Sequence, residues 1–340
     1  MFSPDQYETL DFGNGRKLER FGDLVLDRPC PAATQPKMAT VSLWSKADAF
    51  FCVDEKSSKN HNALGNRGFW QAKTDRGIAI FEPVSDDRAA NSNAWQIRHG
   101  QAIFELRGTP FGHVGLFPEQ AENWDAIKFF CQKHANISQN RGETDQKVAA
   151  DTKQPQQSTE FRVLNLFAYT GGSTLAAVSG GAVVTHVDAA KNVVAWARKN
   201  AELSQFSQSQ IRWIAEDAAK FVRRELKRGN RYNGIILDPP SYGHGSRGEV
   251  WRLSKDLPDL LLDCFSLLNS NLPCFLLLTC HTPGFSLQQL TQMVKLATWD
   301  AWGNSFVSEK ANIQSQTMTL CSRSGASLPS GESVMFCYND

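Results

Sequence analysis

From about Phe161 onward, short and almost wholly apolar runs alternate with longer segments in which apolar positions recur every three or four residues. The apolar runs are Val163–Phe167, Val183–Val187, Ile211–Ile214, Gly234–Leu237 and Phe275–Thr279, and their length and content predict buried strands. Between them Ser173–Ser179, Lys191–Leu203, Ala218–Arg228 and Leu257–Leu268 read as helices. Strands and helices in alternation predict a parallel sheet covered on both faces. A further helix near Leu287–Leu296 is followed by two last strands, Thr317–Leu320 and Val334–Cys337, joined by a Gly/Ser/Pro loop.

The first 110 residues have a different rhythm. Asp23–Asp27, Gly77–Phe81 and Ala102–Leu106 are short apolar or alternating runs between turn residues, and they predict strands. Trp95–Arg98, His99-Gly100 and Gln101–Leu106 predict a hairpin around a glycine turn. This stretch is a small β-rich domain. Residues 111–160 connect it to the α/β domain at 161–340. Phe111–Gln120 opens a helix with Pro118 near its first turn, and the helix runs through Trp124, Ile127 and Phe130. From Gln132 to Glu160 the chain is polar, and that composition predicts a linker or surface insertion.

Composition narrows the class. With 41% hydrophobic and 21% charged residues, the 340-residue chain has the make-up of a globular protein of about two domains. The longest apolar runs, such as Phe275–Leu278, are far too short to span a bilayer. Met1–Asp5 does not open a secretory signal, so a cytoplasmic location is the default expectation. The eight cysteines form no C-x-x-C pair, which predicts reduced thiols and no structural zinc or other metal site. A net charge of +1 argues against a protein coated in positive charge, although one basic face would suffice for nucleic acid.

Candidate chemistry sits at four successive strand ends. Asn165-Leu166-Phe167-Ala168-Tyr169-Thr170-Gly171-Gly172 ends the first strand of the α/β domain in a glycine turn that lets backbone approach a ligand. It is neither G-x-G-x-x-G nor a P-loop, so a nicotinamide-dependent oxidoreductase is disfavoured. Asp188 follows the second strand and can accept both hydroxyls of a ribose, or cap the Lys191 helix. Glu216-Asp217-Ala218 follows the third and can meet an adenine amine, or again cap a helix. Asp238-Pro239-Pro240-Ser241-Tyr242 follows the fourth, where two prolines stiffen the turn around an acid. In an open parallel sheet these four ends converge on one crevice.

Together these segments resemble class I S-adenosylmethionine methyltransferases over the whole stretch from Phe161. More narrowly, with Gly112–Gln120 upstream, they resemble the bacterial family that includes the 23S ribosomal RNA 5-methylcytosine methyltransferase. Lys17–Gly22 and Arg28-Pro29 resemble a less characterised branch of it. The resemblance implies a Rossmann-like α/β domain with a seven-stranded, mostly parallel sheet. The late hairpin adds the antiparallel last strand that separates this fold from the dinucleotide-binding one. It implies S-adenosyl-L-methionine as cofactor. Phe167, Ala168, Tyr169, Thr170, Gly171 and Gly172 would hold its methionine part, Asp188 its ribose, and Asp217 with Ala218 its adenine. Asp238 would face the methionine amino group or the acceptor, and Phe117 and Gln120 would close the pocket. RNA, ribosomal RNA in particular, would be the partner.

Carbon 5 of cytosine must first be attacked by a thiolate. Cys280, in Leu278-Thr279-Cys280-His281, aligns without a gap with the nucleophile of the resembled family, but Thr279 and His281 stand where that family has serines. The other reading of Cys280 is a small core residue. Lys220, Arg223, Arg224, Lys227, Arg228 and Arg231 share a helix face that suits phosphates or is merely solvated. Arg247, Arg252 and Lys255 lie nearer the acceptor side, where Tyr242 and Trp251 could stack on a base. Methylation of a small molecule or protein, and a non-catalytic cofactor- and RNA-binding role, stay open.

Overall fold

The computed structural model describes residues 1–54, 67–81, 94–148, 160–244, 250–303 and 308–338, with side chains described for all but 136–148, 244 and 308. Two compact units are distinguished. One is Met1–Ala121 with Met318–Ser330, and the other is Glu122–Thr317 with Gly331–Asp340. The helix expected in a connecting segment therefore belongs almost entirely to the second unit, and the tip of the last hairpin belongs to the first.

In the first unit, β1 (Tyr7–Gly13), β2 (Arg16–Phe21), β3 (Leu24–Pro29), β4 (Ala49–Val53) and β5 (Gly68–Ala72) form one sheet in sequence order, with α1 (Val41–Trp44) between β3 and β4. The expected hairpin is present as β6 (Trp95–His99) and β7 (Ala102–Leu106), with Gly100 at a left-handed φ of 57°. One expected strand is instead a helix: Gly77–Phe81 lies in α2 (Asp75–Phe81). Short apolar runs do not distinguish strand from helix by period alone. Here local capping decides, because Thr74 accepts the Gly77 N–H on its hydroxyl at 3.1 Å and the Ile78 N–H on its carbonyl at 2.8 Å.

The second unit begins with α3 (Ala121–Val148), entered through a short 3₁₀ turn at Pro118–Gln120. The polar sequence from Gln132 predicts a linker or surface insertion, and the helix continues into it as far as Val148. Its Gln, Lys, Glu and Arg content is polar yet helix-forming, so low hydrophobicity and helix propensity point different ways there. Residues 149–159 of the expected linker lie outside the described residues.

The elements that follow are β8 (Arg162–Leu166), α4 (Gly172–Ser179), β9 (Val183–Asp188), α5 (Lys191–Leu203), β10 (Ile211–Ala215), α6 (Ala218–Lys227) and β11 (Gly234–Leu237). Next come the small hairpin β12 (Tyr242–His244) and β13 (Val250–Arg252), then α7 (Leu253–Leu267), β14 (Cys274–Cys280), α8 (Leu287–Trp302), β15 (Ala311–Cys321) and β16 (Ser327–Tyr338). The sheet order is β10-β9-β8-β11-β14-β16-β15, with β16 antiparallel to β14, so the seven-stranded, mostly parallel architecture expected from the sequence is the one observed.

Strand alternation divides the side chains between two faces. Leu164, Leu166, Ile235, Leu237, Cys274, Leu276, Leu278 and Cys280 face one buried cluster with α7 and α8. Val163, Asn165, Ile236, Phe275 and Thr279 alternate with them. Phe130 of α3 packs on the Phe275 ring at 5.1 Å, and Asn165 donates to Thr174 at 2.9 Å.

His186 on β9 is fully buried. Its Nδ1 lies 2.9 Å from Thr174 Oγ1, and its Nε2 has no hydrogen-bond partner among the described residues. Burial pulls its pKa down from 6.5 to about 3. A depressed pKa means that the unfolded chain takes up this proton first. The stabilisation is therefore complete above about pH 6.5 and is lost as pH falls towards 3. His186 should contribute about 1.4 kcal/mol of lost stability per pH unit over that window. Urea unfolding between pH 7 and pH 5 checks this: His186→Gln should flatten the slope by one proton, and an unchanged slope would contradict it.

Candidate active site

The β8 end is built from unusual backbone. Phe167 and Tyr169 both adopt left-handed φ values, 53° and 48°, which side chains other than glycine rarely take. Such conformations cost about 1–3 kcal/mol each and persist only where surroundings enforce them. Here the Ala168 N–H donates to Val187 O at 3.1 Å, the Tyr169 N–H to Asp188 Oδ2 at 3.0 Å, and Asn200 Nδ2 to Thr170 O at 3.0 Å. Gly171 has φ 92° and caps α4, and a Cβ on it would lie 3.2 Å from the Ala197 Cβ of α5. The glycine is required both by backbone conformation and by close helix approach.

Asp188 ends β9, half-buried, and ties the loop ends together: Oδ2 accepts from Tyr169 and Oδ1 from the Ala190 N–H at 2.9 Å. It is not the N-cap of α5, a position held by Ala190 without a side-chain bond. Burial raises its pKa, and the two N–H bonds offset part of that rise. With about four lone-pair directions per carboxylate, two hydrogen bonds leave room for a diol.

At the β10 end the capping reading holds, because Asp217 accepts the Lys220 N–H at 2.9 Å as N-cap of α6. Glu216 is committed elsewhere, forked onto Arg224 with Nη1 to Oε1 at 2.7 Å. Ala218 is buried as the first residue of α6.

At the centre of the sheet, β11 and β14 run parallel with Leu237 opposite Leu278. Asp238 and Thr279 are therefore neighbours at the strand ends. Thr279 Oγ1 donates to Asp238 Oδ1 at 2.7 Å, and His281 Nε2 lies 3.4 Å from the same oxygen, with both side chains about one-third exposed. The pairing of Asp238 with Thr279 and His281 was not anticipated in the sequence.

Cys280 lies between them in sequence but on the other face. It is 2% exposed within the buried cluster of α7. Burial, and secondarily the Asp238 and Glu332 carboxylates, push its thiol up, against hydrogen bonds from the Thr282 amide and hydroxyl. This is an environment that holds a protonated thiol.

Other candidates fall out of the site. Trp251, a candidate for stacking on a base, is buried. Its Nε1 donates to Pro240 O at 2.7 Å and its ring packs on Phe167 at 5.1 Å, so it fixes the Asp-Pro-Pro loop from inside. Tyr242 on β12 is half-buried, Arg252 and Lys255 are exposed, and Arg247 lies outside the described residues. The basic face of α6 is partly neutralised: besides Arg224, Arg228 bonds Glu225 at 3.0 Å and Arg223 lies 3.9 Å from Asp263. In the first unit, Gln120 is buried in the 3₁₀ turn and Phe117, which precedes it, packs on His113 at 5.3 Å.

One sheet edge thus presents the carboxylates of Asp188, Asp217 and Asp238 beside a strained glycine loop. A family model described as S-adenosylmethionine-dependent methyltransferase matches residues 88–284. The chain belongs to this family. A SAM-dependent methyltransferase from Agrobacterium tumefaciens is 30% identical, with a TM-score of 0.74 over 98% of this chain and 90% of that one. A methyltransferase-fold protein solved in complex with SAH is 15% identical with a TM-score of 0.63, covering 98% of this chain and 75% of that one; it shows the fold alone. Among curated relatives, ribosomal RNA large subunit methyltransferase I of Aeromonas hydrophila is 34% identical over 134 residues, and that of Salmonella arizonae is 32% identical. The chain matches about a third of the length of these curated relatives.

This methyltransferase uses S-adenosylmethionine, and its donor set fits that molecule. The cofactor is cationic and offers a ribose diol and an exocyclic amine, while the edge is rich in carboxylate acceptors. No helix among the described residues is long and apolar enough to cross a membrane, and the described residues hold no His/Cys/Asp/Glu group suited to a metal ion.

Proposed function

We propose that this methyltransferase acts on RNA, with ribosomal RNA the favoured substrate and a base nitrogen the favoured acceptor. The names of the curated relatives support the RNA reading. The observation that carries the choice of atom is the pairing of an accessible Asp238 with a buried Cys280 at adjacent strand ends. An exocyclic amine needs a hydrogen-bond acceptor and a destination for its proton, and Asp238 offers the first. Carbon 5 of cytosine needs a thiolate, and the Cys280 environment opposes one.

In this reading S-adenosylmethionine supplies an electrophilic methyl group. Phe167–Gly172 cradles its methionine part, Asp188 accepts from the ribose hydroxyls, and Asp217 with Ala218 meets the adenine. Asp238 faces the acceptor.

Transfer of labelled methyl to deproteinised ribosomal RNA, compared with a protein and metabolite extract, both from a strain lacking the enzyme, tests the substrate class. Label confined to the second extract would remove RNA. A second reading, 5-methylcytosine formation through Cys280, is favoured by that residue's position at the β14 end and the Thr282 hydrogen bonds to its sulfur. Cys280→Ala separates the two. Methylation should persist within a few-fold, with a stability cost of about 1 kcal/mol for the lost buried sulfur. Abolished methylation by a folded variant would instead establish the nucleophile.

A further inference from the structure

Asp238 is half of a dyad. Alternation along β14 puts Thr279 on one side and Cys280 on the other, and His281, the residue after the strand, meets Asp238 as Thr279 does. The register of β11 against β14 then sets Asp238 on the Thr279 side. Thr279 Oγ1 fixes Asp238 Oδ1 at 2.7 Å, and His281 Nε2 approaches that oxygen to 3.4 Å. The His281 side chain is 32% exposed and the Asp238 side chain 31%, so both reach solvent and an arriving substrate at the carboxyl edge of the sheet. A structural ion pair has no need of this placement, whereas a proton acceptor with an orienting carboxylate does.

We propose that His281 is the proton acceptor of methyl transfer, held and made more basic by Asp238, with Thr279 as a positioning residue. The inference rests on the nitrogen-acceptor reading above. The acceptor nitrogen donates its lone pair to the incoming methyl carbon, the methyl–sulfur bond breaks with its pair going to sulfur, and the nitrogen is left with one proton too many. The N–H pair returns to nitrogen and the proton passes to the neutral imidazole. The resulting imidazolium is stabilised by the Asp238 carboxylate and loses its proton to solvent. No oxidant or further reactant is needed.

The groups around His281 have defined roles. Asp238 comes from the end of β11. From β16, Glu332 stands opposite Cys280 in register and takes a hydrogen bond from Thr317 at 2.7 Å. Cys280 is a neutral thiol, and Thr282 Oγ1 is 2.7 Å from Ser241 Oγ. Glu332 shares the Cys280 face through that register, so the carboxylate that favours the protonated imidazole is that of Asp238, 3.4 Å away. The His281 pKa should therefore lie above the usual value of about 6.5. Turnover should fall as pH drops through it, because only neutral imidazole can accept the proton.

Two measurements on the full-length protein test this. The first, an NMR titration of the His281 imidazole, needs no substrate. The pKa should fall by at least about half a unit in Asp238→Asn, corresponding to loss of one nearby charge. An unchanged pKa overturns the dyad. The second is the pH profile of methyl transfer to RNA. His281→Gln should lower the maximal rate by about 10²-fold or more and abolish the native acid limb, with cofactor affinity preserved. His281→Ala should be partly restored by added imidazole. An unaltered acid limb in His281→Gln overturns the inference while leaving the RNA reading intact. Failure of the native protein to label any RNA overturns the RNA reading, and the imidazole titration still reports on the dyad.

Discussion

Asp238→Asn should lower the rate of methyl transfer at saturating substrates by about 10²–10³-fold, the usual effect of deleting one preorganised electrostatic partner of the reacting group. The substitution is close to isosteric. The amide oxygen can still accept from Thr279 Oγ1, so the turn after β11 should keep its shape. What is lost is a full negative charge at the strand end, in a place stiffened by Pro239 and Pro240 and braced by the Trp251 bond to Pro240 O. If Asp238 faces the acceptor, kcat should fall and the dissociation constant of S-adenosylmethionine, measured by calorimetry, should stay within about threefold. If it faces the methionine amino group, binding should weaken and kcat should change less. A kcat within threefold of native, with unchanged cofactor binding, would remove Asp238 from the chemistry.

The ends of the central strands were legible in sequence because fully buried parallel strands read as continuous apolar runs. Gly234–Leu237 and Phe275–Thr279 stand out for that reason, and so do the acids that follow β9, β10 and β11. The partners of those acids were harder to read. Thr279 and His281 meet Asp238 through a strand register, and the Thr279 contact spans 41 residues of chain. One signal for them was available. The period of two along β14 places Cys280 on the face of Leu276 and Leu278, and places Thr279 opposite, with His281 the residue after the strand. Position at a strand end singled out Cys280, whereas alternation would have singled out its neighbour Thr279. The same period misled at Gly77–Phe81, where five residues are too few to separate a strand from a capped helix turn. At the β10 end two acids in a row left the choice between ligand and cap open, and Asp217 takes the cap.

Charge in the first unit was the least legible feature, and it carries the second large effect. Glu19 should be among the most costly residues to truncate, with Glu19→Ala destabilising the chain by about 3–5 kcal/mol, the range for breaking a buried ion pair by removing one partner. Its carboxylate is fully buried and accepts from Tyr7 OH at 2.8 Å and Arg28 Nε at 2.8 Å, with Lys17 Nζ at 3.1 Å. Burial alone would push this carboxyl up, but the charges of Arg28 and Lys17, with the Tyr7 and Arg28 hydrogen bonds, outweigh it and hold it below the usual range. Arg28 is 5% exposed and also donates from Nη1 to Gly112 O at 3.1 Å, in the segment leading to Pro118–Gln120. Without Glu19 a buried guanidinium loses the carboxylate it is hydrogen-bonded to, which is worse than having neither charge. The double variant Glu19→Leu/Arg28→Met should therefore recover much of the loss. Thermal and urea unfolding of the single and double variants decides the matter: a single-variant cost below about 1 kcal/mol would mean that water or a neighbour replaces the carboxylate. β2 and β3 thus supply the acid and the base of one buried network.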